Sequence, residues 1–356
     1  MMHSNETVLR YCAAACIAAY MSYSGYKKGS LSVSGAYAAF FTGFVGFGAS
    51  YRFGIILILF YLTSSKLTKA GKNKKMLLEA DYGTTSKRGA AQVIGSSIFA
   101  TLLSVLFILL VQNDQEVQFS VLNLVTWQTI SSIFTDFSGS WAAFWESKDT
   151  PEQQLLICSV FNCLYVAHYA CATADTWASE VGILATAPPR LVTSLFLRQV
   201  PPGTNGGMSL LGTLASGLGG AFISTVYICM KPSYWRLVWS FFGALLAGDA
   251  LPVALVELSH IWSTAEINDN ISLLMFGLFC GLLGSLIDSV LGATCQLTLY
   301  SNERKCIVKQ SDDTVPGSGD IVRICGVDLL SNEAVNLLSI LLTMAVSVAV
   351  APKLFA

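Results

Sequence analysis

The chain has 356 residues, of which 53% are apolar and only 12% charged, with a formal net charge of −1 and a mean hydropathy of +0.59. That charge content is about half the usual share, too little to supply polar faces for the helices of a large soluble α protein. The net charge says nothing about partners, because the charges are clustered; a lipid bilayer is the expected partner and nucleic acid is not. The expectation is an all-α protein, a polytopic transmembrane helical bundle of about seven to nine helices, each needing roughly 20 apolar residues to span. Residues 1–356 read as a single integral-membrane domain.

Apolar periodicity and length predict helices over 9–25, 33–49, 52–65, 92–112, 154–174, 209–230, 237–257, 271–298 and 334–352. The first has Glu6 and Arg10 before it and Lys27 and Lys28 after it, the pattern of a retained signal anchor. With no Arg/Ser-rich leader ahead of it, this favours the endoplasmic reticulum or plasma membrane over a plastid. The stretch 66–88, "KLTKAGKNKKMLLEADYGTTSKR", carries seven Lys/Arg against two acids and reads as a basic cytoplasmic loop. The acidic "QNDQE" at 112–116 suits the opposite side. Two apolar patches are weak: 119–145 contains Asp136, and 237–257 contains Asp249 and Pro252. If neither crosses, the loops 183–208 and 299–333 join 66–88 on one side, and every basic loop is collected there. Small residues at helical spacing, Gly35–Ala39–Gly43 and Gly212–Ser216–Gly220, predict close helix packing.

Ten cysteines occur without a CxxC or a Cys/His spacing suited to metal. Most lie in apolar segments and pack as small hydrophobes. Cys306 and Cys325 fall in a polar loop, where reduced thiols are expected.

Several polar residues are not explained by packing alone. Asp288 sits well inside an apolar helix, where an unpaired acid costs ~2.5–3.5 kcal/mol. Gly284, Asp288, Gly292 and Gln296 are spaced by four and share a face. Glycine on both sides of the acid suggests a slot that admits a ligand; an interhelical hydrogen bond is the plainer alternative. Asp175 and Glu180 are five apart, about 140° around an ideal helix, and cannot form a same-face pair. Glu180 is either a solvated acid at a helix end or converges with Asp175 and Asp288 on a cation. The run "PPGTNGG" (201–207) cannot be regular helix or strand, because Pro fixes φ and Gly admits positive φ. Its backbone N–H groups suit an anion-binding nest, although it is no Walker A loop; a bland turn is the alternative.

"SSKLTK" (64–69), "DTWASEVG" (175–182), "PPGTNGG" (201–207), "GSLIDSVLGAT" (284–294) and "NEAVNLLS" (332–339), in this order, resemble the transmembrane protein 19 family. That integral-membrane family includes the plant phytyl-phosphate kinase and a plant glucose-responsive regulator. The resemblance spans residues from about 27 to 345, and against it 119–150 and 234–268 look like insertions.

Carried over residue by residue, the resemblance implies a membrane-embedded phosphotransferase acting on an isoprenoid or lipid monophosphate. Asp175, Glu180 and Asp288 would be catalytic and hold Mg²⁺, with ATP or CTP as phosphoryl donor. Lys66, Lys69 and the turn Gly203, Thr204, Asn205, Gly206 and Gly207 would bind phosphates. Gly284, Ser289, Gly292 and Asn336 would line a slot for an amphiphilic phosphorylated substrate. The alternatives are a non-enzymatic membrane regulator of glucose response and a transporter.

Overall fold

In the computed structural model, residues 2–78, 87–110, 151–231, 234–235, 237–238, 259, 263–308 and 321–354 are described. Helices are α1 (Met2–Lys27), α2 (Val33–Ala49), α3 (Tyr51–Leu78), α4 (Ala90–Gly95), α5 (Ile98–Leu110), α6 (Pro151–Gly182), α7 (Leu210–Cys229), α8 (Thr264–Cys295) and α9 (Asn332–Leu354). Five stretches within them are long and apolar enough to cross a bilayer: Tyr51–Ala70, Ile157–Gly182, Leu210–Cys229, Glu266–Cys295 and Asn332–Ala351. The predicted spans 119–145 and 237–257 lie outside the described residues, apart from two positions.

Helix α6 is the hub. Its spanning stretch is 89% buried, against 28–56% for the other four, so it is enclosed by protein while they retain lipid-facing sides. Contacts along it give the topology. Tyr165 donates to the Phe53 carbonyl at 2.9 Å and Thr68 reaches Glu180, so α3 runs parallel to α6. Phe107 meets Phe161 edge-on while the Ser96 carbonyl meets His168, so α4 and α5 run antiparallel to it. Gly219 lies against Ala174 and Gly212 against Ala178, which makes α7 antiparallel as well. Gly284 abuts Cys171, and Asp288 interacts with Asp175, so α8 is parallel to α6 at a constant residue offset. Ser339 meets Asp288 near the start of α9, which therefore descends antiparallel to α8.

One end of the bundle thus gathers the C-termini of α1, α3, α6 and α8 with the N-termini of α4, α7 and α9. Among the described residues, those just following α1, α6 and α8 lie at that end, with Lys27, Lys28, Arg190, Arg198, Arg304 and Lys305. At the opposite end Lys231, only 2% exposed, donates to Glu266 at 3.0 Å and Asn270 at 2.7 Å. This buried pair joins the end of α7 to the start of α8.

Two expectations change. The basic stretch from residue 66 is not a loop; α3 continues as helix to Leu78, because Lys, Leu and Met are good helix formers and its one Gly does not stop it. The helix expected over 92–112 breaks at Ser96–Ser97. There the Ser96 carbonyl bonds to His168 Nε2 at 2.9 Å instead of continuing the ladder. The bundle is the all-α one expected, and short strands finish its loops. Strands β1 (Arg190–Leu191) and β2 (Gly207–Met208) form an antiparallel pair, and β3 (Thr298–Ser301), β4 (Cys306–Val308) and β5 (Ile321–Cys325) form a sheet of order β4-β3-β5. Cys306 and Cys325 lie on strands flanking β3 and are free thiols.

The glycine stripes serve helix contact, as their spacing predicts. Gly43 sits over Ala18 of α1. Gly220 of α7 meets Gly277 and Gly281 of α8, where an added Cβ would stand 2.9 Å from the Gly277 carbonyl carbon and 2.9 Å from Gly281 Cα. Backbone lies opposite, so no side chain can swing aside. Gly220→Ala should cost about 1–3 kcal/mol of stability by overpacking. Gly217→Ala, whose Cβ would lie 3.4 Å from Leu282 Cδ2, should be near neutral. Thermal unfolding of both variants in nanodiscs would check the contrast.

Candidate functional site

Helices α6 and α8 are parallel and in close contact, and about two turns before their C-terminal ends each carries an acid. Asp175 and Asp288 interact directly, carboxyl to carboxyl. Two like charges in contact within an apolar bundle are not both carried bare: they share a proton or a cation. The first turns of α9 supply neutral partners. Ser339 Oγ donates to Asp288 Oδ2 at 3.2 Å. With its amide oriented to satisfy the network, Asn336 donates to the same oxygen at 3.2 Å and to the Asn332 carbonyl at 3.1 Å.

The glycines beside Asp288 do not open a slot. An added Cβ on Gly284 would stand 2.8 Å from Cys171 Cβ, and on Gly292 3.4 Å from the Gly206 nitrogen and 3.6 Å from Asn205 Cβ. Their clearance is consumed by α6 on one side and by the 201–207 turn on the other. Close packing accounts for both, and the substrate slot expected at Gly284 and Gly292 is filled by protein.

The turn itself is bolted onto this end. Gly203 and Gly206 adopt φ of +89° and +71°, conformations natural to glycine. Gly206 is also required sterically, since a side chain there would strike Ala293 and the Ser289 carbonyl of α8. Three of the backbone donors expected to face an anion are already engaged. Thr204 N–H donates to the Pro201 carbonyl at 3.2 Å, Asn205 N–H to Thr298 Oγ1 at 3.3 Å and Gly207 N–H to the Thr204 carbonyl at 3.0 Å. The Asn205 side chain and Gln296 flank Gly292, one turn beyond Asp288.

Glu180 does not join the acid pair. It is 6% exposed and accepts from Thr68 Oγ1 of α3 at 3.0 Å, and Arg88 Nη2 stands 3.5 Å from the same hydroxyl. No group of three or more metal-capable side chains forms among the described residues, so the three acids do not make one centre. Asp175 and Asp288 with the Ser339 hydroxyl remain an all-oxygen donor set. Mg²⁺ commonly takes one or two carboxylates and fills its shell with water and phosphate oxygens, so this set fits it. Lys66 and Lys69 are exposed and line a pocket with α1, on the side of α3 away from Thr68. Ser339 and Thr68 were within reach of the sequence, since both fall inside the quoted motifs. The part played by Arg88 carried no such signal.

Apolar spans around an enclosed helix, with a carboxyl pair inside one polar end, define a multi-pass helical membrane protein. Residues 16–344 match the model of the integral membrane protein family DUF92, and the chain belongs to that family. It is 32% identical to Protein PGR of Arabidopsis thaliana over 330 residues, 93% of this chain and 92% of that one. It is also 32% identical to an uncharacterised membrane protein of Methanocaldococcus jannaschii over 129 residues, 36% of this chain and 38% of that one. These matches agree with the resemblance to the transmembrane protein 19 family. No solved structure matches the chain.

Removing the Asp288 acceptor strands the Asn336 and Ser339 donors. Asp288→Leu should therefore cost about 1–3 kcal/mol. Asp175→Asn replaces a carboxyl–carboxyl contact with an amide–carboxylate one and should not destabilise. Thermal unfolding at neutral pH distinguishes the two substitutions.

Proposed function

We propose that this protein is a phosphotransferase of the membrane surface, moving the terminal phosphoryl group of ATP or CTP to an isoprenoid or lipid monophosphate. The observation that carries the reading is the Asp175–Asp288 carboxyl pair, held by Ser339 and Asn336 about 10 Å inside the helix ends. An amphiphile lying in the bilayer presents its phosphate at that depth. Phosphoryl transfer asks little covalent chemistry of a protein; it asks for positioning and charge neutralisation. The acceptor is an oxygen of the monophosphate, already ionised, so the reaction requires no general base. A new P–O bond forms to that oxygen, the bond to the bridging oxygen of the nucleotide breaks, and the nucleoside diphosphate leaves.

Asp175 and Asp288 would hold Mg²⁺, which when bound supplies positive charge to the phosphate oxygens. Asn336 and Ser339 fix the Asp288 carboxyl. The Asn205 amide and Gln296 are placed to orient phosphate oxygens, while Glu180 positions α3 through Thr68. The Gly203–Gly207 turn contributes by setting Asn205 in place more than by its own N–H groups. Lys27 and Lys28 behind the first helix support residence in the endoplasmic reticulum or plasma membrane.

A second reading is favoured by the same partners. Asp288 is satisfied by α9 side chains, as a structural tie between helices would be, and the likeness to Protein PGR extends over most of both chains. On that reading the protein is a regulator of sugar response without chemistry of its own.

Purified protein with Mg²⁺, labelled ATP or CTP and a panel of prenyl monophosphates should give labelled diphosphate. Asp175→Asn and Asp288→Asn should each reduce turnover by at least about 100-fold, the scale of losing a transition-state charge stabiliser, while unfolding at the wild-type temperature. Absence of product across the panel with both nucleotides defeats the kinase reading and leaves the regulator.

A further inference from the structure

Across α3 from the acid pair lies a separate pocket of about 380 Å³, between α1 and α3. Helix α3 divides its faces by spacing. Ser64 and Thr68 turn toward α6, while Leu62, Ser65, Lys66 and Lys69 line the pocket facing α1. From α1 come Met21, Ser24 and, just past its end, Lys28. The two helices run in the same direction, so the lining is graded along the bundle axis. Met21, Tyr61 and Leu62 lie deep; Lys28 and Lys69 stand about 10 Å further out, seven residues at 1.5 Å each beyond Met21 and Leu62, and Lys66 about 6 Å further out.

The walls are built. Tyr61 is pinned by its hydroxyl, 2.7 Å from Ser30 Oγ. It can approach because residue 25 is glycine; a side chain there would collide with that hydroxyl and with Leu31. Among the described lining residues there is no acid to neutralise the three lysines. The Ser65 hydroxyl oxygen is buried and has no hydrogen-bond partner among the described residues.

We propose that this pocket binds a phosphate monoester group, with the three lysines on its oxygens, Ser65 as a further donor, and the apolar floor accepting an attached chain. A divalent anion matches three lysines with no acid among the described lining residues better than a single carboxylate does, and a buried hydroxyl lacking a partner among the described residues supplies the directional bond that surface lysines lack. The gradient from apolar floor to basic mouth is that of an amphiphile entering from the bilayer. This site is distinct from the carboxyl pair and does not depend on phosphoryl transfer: Asp288→Asn should retain it.

The test uses the full chain in phosphatidylcholine nanodiscs containing phosphatidic acid or, separately, phosphatidylserine, with retained lipid read by native mass spectrometry. Phosphatidic acid should be retained preferentially. Lys28→Gln/Lys66→Gln/Lys69→Gln should reduce its retention at least tenfold, and Ser65→Ala should reduce it by a smaller factor. Arg304→Gln/Lys305→Gln, at the β3–β4 turn, should leave it unchanged. Inorganic phosphate titrated against the nanodiscs separates the sources of the group. If phosphate binds with the same lysine dependence but phosphatidic acid gains nothing over it, the ligand is soluble; if phosphatidic acid binds more tightly, it is lipid-borne. Equal retention of the two lipids without lysine-dependent phosphate binding, or equal loss in the triple and control variants, overturns the proposal by reducing the lysines to a general surface charge.

Discussion

The close approach of the α6, α7 and α8 backbones is the constraint on which the rest of the structure depends. In a bilayer the hydrophobic effect does not press helices together, because lipid is as apolar as leucine; contact must come from dense packing and interhelical bonds. Gly219 on Ala174, Gly212 on Ala178, Gly220 on Gly277 and Gly281, and Gly284 on Cys171 provide that density. They also enclose most of α6, so that His168, Thr173 and Glu180 on it face protein and not lipid. This is the condition under which Asp175 is tolerable in an apolar span.

The carboxyl pair follows from that packing. Two parallel helices with a fixed offset bring residue 288 beside 175 once residue 284 is beside 171, and Gly284 permits the second contact. The acids are therefore placed by their glycine neighbour, and α9 closes over them with Asn336 and Ser339. The polar end is finished by the 201–207 turn, whose Gly206 rests on α8 and whose Asn205 N–H bonds to Thr298 at the start of the small sheet. Turn, sheet and helix ends make one rigid rim around a pair of acids.

Much of the bundle was legible because hydropathy reports directly on bilayer-spanning segments: α2, α7 and α9 fall where their apolar stretches begin and end. The isolation of Asp288 in a greasy helix marked it, and geometry around one helix already denied Asp175 and Glu180 a common face. Other features were legible only in part. Glycines beside an acid look the same whether they admit a ligand or a neighbouring helix, and here Cys171 and the turn occupy the space. A Pro/Gly run can point its N–H groups outward or inward, and what decides is the distant Thr298 and Pro201, which sequence spacing does not bring near. Lysines beyond residue 66 read as loop because charge usually marks the end of a span. Yet lysine is a good helix former, and α3 simply continues past the apolar–polar boundary.

That continuation has an electrostatic consequence. Where α3 leaves the apolar region, the Thr68 hydroxyl engages the buried Glu180 and the Ser64 carbonyl one turn back, while Lys66 and Lys69 turn to the pocket facing α1. A Lys–Asp pair in a low-dielectric bundle gains Coulomb energy only against a desolvation cost of several kcal/mol per ion, and it removes both charges from use. Interposing α3, whose Thr68 contacts Glu180, sets the acid end and the basic pocket on different sides of one helix. A single helix, held in rotation by the Thr68–Glu180 bond, keeps them apart.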